Sequence, residues 1–498
     1  MAIQSSPSLA KQVFNGTKWY VAMRWSIKGM GFVSSAFLAR LLVPEDFGLV
    51  ATAMAIFGLV SLLFEFGVNW ALIQNSEATD QHFDTAWTIR LLQSAVVSVL
   101  LMLTSPYIAQ FYQDPRIELI IQIVAVAALI GGFKNIGTVK FQKELQFSKD
   151  FYLNVLPKIF STLITIGLAF YYKSYMALVV GTLISIIINV AASYLMSGFR
   201  PKLSLAKFSE IWGFSQWILV RNFAQYISTT GDILILSSIT SVTNLGYYRW
   251  ASELSLLTNT EIQQPFARAL IPALVKLKQD KKRLIAAYIK ALSAMTLLAI
   301  PIALGFGAVS QELIPLFLGG GDKWLPVVPL IECLVFFSVC TSMYTISGNL
   351  LTITGNVKYT AYLFWIQAII IIATMFPAFE LFGLLGIVYT RVLIGIIMFF
   401  VVHYLVKKRC GVTFSQIINI VWRPLLAGLA MYAIIINLAQ ILNLDDGLLL
   451  VVKILLGAIC YVSFILGLWL LCNKPPSLES EIIQALKAFF QVKIAKFK

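Results

Sequence analysis

Two cations, Arg24 and Lys28, sit well inside residues 14–42, an apolar stretch long enough to cross a bilayer. A cation at the centre of a membrane helix costs about 2.5 to 3.5 kcal/mol on insertion scales, so it ordinarily faces a wet cavity, a partner or a ligand. The two are one helical turn apart and project from one face, which makes a doubly positive patch. Such a patch can hold an anion. The planar Arg fork offers a phosphate two parallel hydrogen bonds, and Lys adds a less directional charge. Arg221, Arg391 and Lys158 are the other cations deep in apolar runs. For each of the five the competing reading is a structural pair with a buried carboxylate.

The intramembrane acids are Glu65, Asp232, Glu253, Glu261 and Glu332. Asp232 falls three turns from Arg221 on the same helix face, too far for a direct bond. Arg249 and Glu253, at i and i+4, are expected to pair with each other. Glu261 precedes Gln263, Gln264 and Pro265, a polar, kinked stretch tolerated where a helix is buried or lines a cavity. Lys18, Arg40, Arg90, Lys134, Arg268 and Arg423 fall near the ends of apolar runs, where snorkelling explains them. Trp19, Trp25, Trp70 and Trp324 read as interface belt. Gly29, Gly31, Ser34 and Ser35 give the first run a small side for close helix packing.

These residues need a membrane around them, and the composition supplies it. Of 498 residues 59% are hydrophobic and 12% charged, with a mean hydropathy of +0.83, far from a soluble domain. The net charge of +15 lies largely in short connections, which suits topology and anionic lipid rather than nucleic acid. Cys333, Cys340, Cys410, Cys460 and Cys472 show no CxxC spacing, and His82 and His403 are the two histidines. Neither a metal, a redox centre nor a cofactor is expected. The first run is too long and too charged for a cleavable signal peptide.

Apolar runs recur near residues 14–42, 47–73, 84–111, 117–137, 151–172 and 174–198, then 211–236, 245–275, 284–317, 325–351, 359–379 and 382–406, and last 421–441 and 448–472. That predicts an all-α, polytopic membrane protein of about fourteen transmembrane helices. With the N-terminus inside, the inner connections hold fifteen Lys and Arg against four outside, so both termini are expected in the cytoplasm. One inner connection dissents: residues 74–84 carry Glu77, Asp80 and Asp84 without a cation. The expected organisation is an N-terminal lobe over 1–205, a C-terminal lobe over 206–410, two further helices over 411–474, and an amphipathic tail over 475–498 on the inner leaflet.

A shift of 198 positions brings Trp19 onto Trp217 and Phe47-Gly48 onto Leu245-Gly246, with Arg24 one residue from the partner position of Arg221. Two six-helix series that both start inside form parallel repeats, related by a pseudo-two-fold along the membrane normal. A ligand site is then expected between the halves, with Arg24 and Arg221 pointing to it.

The run Arg40-Leu41-Leu42-Val43-Pro44-Glu45-Asp46-Phe47-Gly48-Leu49-Val50-Ala51 resembles the first connection of bacterial polysaccharide flippases, the Wzx-like branch of the multidrug/oligosaccharidyl-lipid/polysaccharide exporter superfamily. Residues 67–74, 141–147 and 245–251 resemble further stretches of that family, in register with the topology. The resemblance implies alternating access and movement of undecaprenyl-pyrophosphate-linked oligosaccharide across the bacterial inner membrane. It implies no catalysis. Membrane lipids, a polysaccharide polymerase and chain-length machinery are the expected partners, and the protein is expected as a monomer. Arg24, Lys28, Arg221, Arg391 and Lys158 would bind the diphosphate, with Trp25 placed to stack on a sugar ring. Asp232 and Glu261 are the candidates for proton or sodium coupling, although structural pairing outweighs that role for each. The alternatives are a multidrug/cation antiporter, whose cationic cargo a cavity with excess positive charge would repel, and an integral-membrane polymerase or ligase, which would need a sizeable outer loop.

Overall fold

The computed structural model describes residues 9–64, 72, 78–144, 146–257, 259–263, 266–267, 270–271, 274–275, 277–319, 321–438, 445–473 and 480. Among them there is no β-strand, as expected of apolar runs that must satisfy every backbone polar group internally. The amphipathic tail expected over 475–498 lies outside the described residues apart from Ser480. Nine helices among the described residues are long and apolar enough to cross a membrane. Contacts divide the chain into two compact units, Met1–Gly246 with Leu318–Gly320, and Tyr247–Phe317 with Gly321–Lys498.

The first unit begins with α1 (Leu9–Leu41), α2 (Pro44–Phe64), α3 (Asp80–Tyr112) and α4 (Arg116–Gly132), and a short α5 (Val139–Lys143) follows. Next come α6 (Phe147–Tyr172), α7 (Met176–Met196) and α8 (Phe208–Ile239). Helix α1 packs on α6, α6 on α7, α7 on α4, and α2 on α4 and α8. Leu49, Ala53, Val97, Leu101, Ile120 and Val179 form the core where α2, α3, α4 and α7 meet. At one end, buried Asp46 ties the frame together: its carboxylate accepts from the Val43 amide at 3.0 Å and the Tyr175 amide at 2.8 Å. The start of α2 is thereby pinned to the turn between α6 and α7.

At the other end the acidic connection finds its cations. Lys140 pairs with Asp80 at 2.9 Å while lying over the Phe83 and Phe199 rings, and the Lys202 amide donates to Asp84 at 2.8 Å. Glu210 takes both Lys207, at 2.6 Å, and His82, at 2.9 Å. The dissenting loop therefore shares a face with the basic loops that neutralise it.

Stretches that the 198-residue shift pairs also lie close together. The first turn of α9 (Val242–Ser255) approaches the start of α2, and a Cβ placed on Gly48 would lie 1.9 Å from the Val242 carbonyl oxygen. A Cβ on Gly246 would lie 1.9 Å from the Pro44 carbonyl oxygen. Pro44 and Val242, like Gly48 and Gly246, are 198 positions apart. Each glycine thus touches the backbone that is the repeat-mate of its own neighbour.

In the second unit, α9 gives way to a π-helical turn at Asn259–Gln263, where the sequence predicted a polar kink. Its Asn259 side chain accepts from the Ser342 hydroxyl at 2.5 Å, and Gln263 donates to the Ser342 carbonyl at 3.3 Å. There follow α10 (Lys281–Ala308), α11 (Ser310–Leu318), α12 (Val327–Ile353), α13 (Val357–Cys410), α14 (Phe414–Leu438) and α15 (Asp446–Leu471). Helix α13 would be about 80 Å long if straight, but Gly383 breaks it with φ 59 and ψ −142, a conformation glycine adopts cheaply. A Cβ on Gly386 would meet the Ala378 carbonyl oxygen at 1.9 Å, so the chain doubles back there and the two runs read from sequence become two arms. Helices α10, α12, α13 and α14 pack in succession. Buried between them, Tyr288 lies 2.8 Å from the Ser347 hydroxyl, which lies 3.0 Å from His403 Nε2. His403 is a satisfied core histidine.

Two sequence readings need correction. Trp324 is fully buried against Tyr247 and Trp250 rather than at an interface. Arg423 is 7% exposed, and Arg90 donates to the Lys134 carbonyl oxygen, so neither snorkels. The reason is the same in each: packing partners from distant segments cover them, and run ends in sequence do not report that. Arg249 and Glu253 do pair, at 3.6 Å.

Candidate functional site

Polar side chains spaced along three helices of the first unit converge on a cavity of about 390 Å³. Helix α1 contributes Gly31, Ser34 and Ser35, where its small side leaves room, and α2 contributes Val50 and Met54. From α6 come Lys158, Ser161, Thr162 and Thr165, the i, i+3, i+4, i+7 positions that share one helix face. Thr182 and Ser185, one turn apart on α7, close the opposite wall. Depth follows from the Trp19 ring, which packs 5.0 Å from Phe151. Gly31 is twelve residues beyond Trp19 and Lys158 seven beyond Phe151, about 18 and 10 Å along helices of 1.5 Å rise. The cavity residues of α2, α6 and α7 fall inside the candidate spans Pro44–Leu62, Ser148–Tyr172 and Met176–Met196.

The hydroxyls are not equivalent. Ser161 donates to the Lys158 carbonyl at 3.1 Å, Thr165 to the Ser161 carbonyl at 2.7 Å and Thr182 to the Leu178 carbonyl at 2.8 Å. Their hydrogens are committed to their own helices, and their oxygens remain acceptors. Thr162 Oγ1 is buried and has no hydrogen-bond partner among the described residues. The Lys158 ammonium has no carboxylate partner among them, and no acid belongs to the cavity's described lining. The result is a half-buried positive centre among hydroxyl oxygens, three of which face the cavity as acceptors.

The remaining sequence candidates are dispersed. Arg24 is half-buried and Lys28 exposed on α1, on the turns before the cavity's α1 wall. The side chain of Arg221, on α8, lies outside the described residues. Arg391 is 5% exposed in the second unit, its Nε donating to the Tyr248 hydroxyl at 3.4 Å and its guanidinium 5.5 Å from the Phe337 ring centre. Asp232, 3% exposed, accepts from the Ile233 amide at 2.9 Å. Glu261 is half-buried in the π turn. No group of three or more metal-ligating side chains occurs among the described residues.

The sequence reading missed the cavity's hydroxyls, taking Ser34 and Ser35 as packing residues. A hydroxyl stripe at helical spacing beside a membrane lysine was the signal. It also missed the pair of Lys453 on α15 and Glu312 on α11, 2.5 Å apart and 1% and 5% exposed.

The number, length and apolar character of these helices define a multi-pass membrane protein. The fold matches the lipid II flippase MurJ in an inward closed conformation, with a TM-score of 0.74, 16% identity, and 91% of this chain and 98% of that one covered. It also matches an inward-facing multidrug resistance MATE family transporter, at 0.61, with 13% identity over 77% and 95%. A polysaccharide biosynthesis protein family model matches residues 37–329, and the chain belongs to that family. The lipopolysaccharide biosynthesis protein WzxC of Escherichia coli K12 is 24% identical over 84% of this chain and 85% of its own. The teichuronic acid biosynthesis protein TuaB of Bacillus subtilis 168 is 22% identical over 96% and 99%. The family resemblance read from the sequence agrees with these matches. The proteins matched by name as transporters and flippases are not enzymes.

Proposed function

We propose that the protein is a flippase that carries undecaprenyl-pyrophosphate-linked oligosaccharide repeat units across the bacterial inner membrane by alternating access. The observation that carries this reading is the lysine-centred, hydroxyl-lined cavity at membrane depth in a chain of the polysaccharide biosynthesis family. A diphosphate-linked sugar brings about two negative charges through a low-dielectric slab, so its carrier must supply fixed positive charge and sugar-binding oxygens in a wet space. Arg24 and Lys28 supply the charge along α1, Lys158 supplies it inside the cavity, and Arg221 and Arg391 are its counterparts later in the chain. The acyl chain stays in lipid. Two similar lobes, 1–205 and 206–410, work as a monomer with both termini cytoplasmic, and the polymerase and chain-length machinery take the product outside. Asp232 and Glu261 are the groups assigned to proton or sodium coupling.

The test is purified protein in liposomes with a fluorescent lipid-linked oligosaccharide, read as leaflet exchange with and without an imposed proton or sodium gradient. Arg24→Ala is expected to abolish exchange in a folded protein, and Arg24→Lys to retain part of it if charge alone matters. Full exchange by both Arg24→Ala and Arg221→Ala refutes the anion-carrying mechanism. Cysteines replacing Lys143 and Lys323 are expected to label from opposite sides, and same-side labelling overturns the topology.

A further inference from the structure

We propose that the cavity among α1, α2, α6 and α7 is a subsite for a single sugar ring bearing one anionic group. The inference rests on the flippase reading and specifies which part of the cargo the first unit reads. Two features select the ligand, and each excludes what the other would accept. The half-buried Lys158 ammonium lines the cavity without a described carboxylate beside it, so a neutral ligand would leave its charge uncompensated. Ser161, Thr165 and Thr182 have their hydrogens bound to their own helix carbonyls and face a ligand as acceptors, beside the hydroxyls of Ser34, Ser35, Thr162 and Ser185. A bare anion would satisfy Lys158 and leave those three acceptors without a donor. A ligand that satisfies both brings an anionic group to Lys158 and hydroxyl hydrogens to the acceptor walls. Thr162 Oγ1, buried and without a described partner, gains one from such a ring.

Size narrows the class further. Pockets that enclose small ligands run from about 300 to 1,000 Å³, and 390 Å³ admits one ring rather than a repeat unit. Two sources meet this chemistry: an acidic sugar within the repeat unit, and the glycosyl phosphate where the first sugar joins the lipid. The hydroxyl pattern and the lysine suit both.

Purified full-length protein in detergent is titrated with glucuronate, glucose 1-phosphate, glucose and inorganic phosphate, with binding read by saturation-transfer NMR. Saturable binding of either charged sugar is expected, with glucose and inorganic phosphate each about ten- to a hundredfold weaker. Glucuronate alone assigns the subsite to an acidic sugar; glucose 1-phosphate alone assigns it to the lipid-proximal end. Lys158→Gln is expected to erase the preference for the charged sugars, and Thr162→Val, nearly the same in shape, to weaken all ring ligands without changing elution or melting. Equal binding of glucose and glucuronate, phosphate binding as tight as glucose 1-phosphate, or no binding at all overturns the proposal. Leaflet exchange in the wild type without probe binding defeats this subsite and leaves the flippase reading standing, whereas probe binding without exchange does the reverse.

Discussion

Removing the amine of Lys453 is expected to harm the protein far more than removing the whole ion pair to which it belongs. Lys453 Nζ lies 2.5 Å from Glu312 Oε1, with the two side chains 1% and 5% exposed. The second oxygen, Glu312 Oε2, has no hydrogen-bond partner among the described residues. Lys453→Met would therefore strand a carboxylate in apolar surroundings, at a cost of about 3 to 5 kcal/mol. That is roughly two to three and a half powers of ten in the folding equilibrium. In the double variant Lys453→Met/Glu312→Leu no charge is left to strand, and methylenes fill the space. It should fall near wild type or up to about 4 kcal/mol above it. Reversible unfolding in mixed detergent micelles, followed by helical circular dichroism, measures all three variants, Glu312→Leu included. If Lys453→Met alone is neutral, or the double variant is as damaged as either single one, the pair is not desolvated as the structure has it. The result also bears on architecture, because Lys453 sits on α15, to which the family resemblance assigned nothing, and Glu312 sits 141 residues earlier.

Gly48→Ala and Gly246→Ala each place a methyl carbon 1.9 Å from a backbone oxygen, which must move. Each should cost about 1 to 3 kcal/mol, and the double variant less than their sum, since both pry apart one crossing; strict additivity in the same unfolding assay would show two independent contacts. Lys134, in the connection after α4, has its ammonium pushed from 10.5 down to about 8 by burial and by the neighbouring Arg90, against the opposing pull of Asp150. The unfolded chain then holds more protons between pH 8 and 10.5, so stability should rise with pH across that window. Lys134→Met should flatten the rise, and an unchanged pH profile would refute it.

Much of the frame was legible because it depends on local pattern. Apolar length marked the nine candidate spans found among the described residues, α1 with its internal cations not being one of them, and the 198-residue shift had already paired Gly48 with Gly246 before any contact was visible. The polar stretch around Glu261 became a π turn, and Arg249 met Glu253 at the spacing that placed them together. What stayed hidden depends on partners remote in sequence. Whether Trp324 or Arg423 reaches lipid is decided by what covers it, and Lys453 looks like any membrane lysine until Glu312 is beside it. The hydroxyls of the cavity were ambiguous for a different reason: small polar residues serve close helix packing and ligand binding alike, and only the empty volume between α1, α6 and α7 distinguishes the two uses.

The doubled glycine contact between residues 44–48 and 242–246 is a joint of backbone and one apolar side chain, Val242. It holds no charge to neutralise, no hydroxyl to rehydrate and no thiol to oxidise, so parting it forfeits dispersion contacts of about 0.1 to 0.2 kcal/mol per atom pair and little else. A clasp of this kind wears no chemical label: its strength is set by fit alone and does not itself vary with pH or redox state.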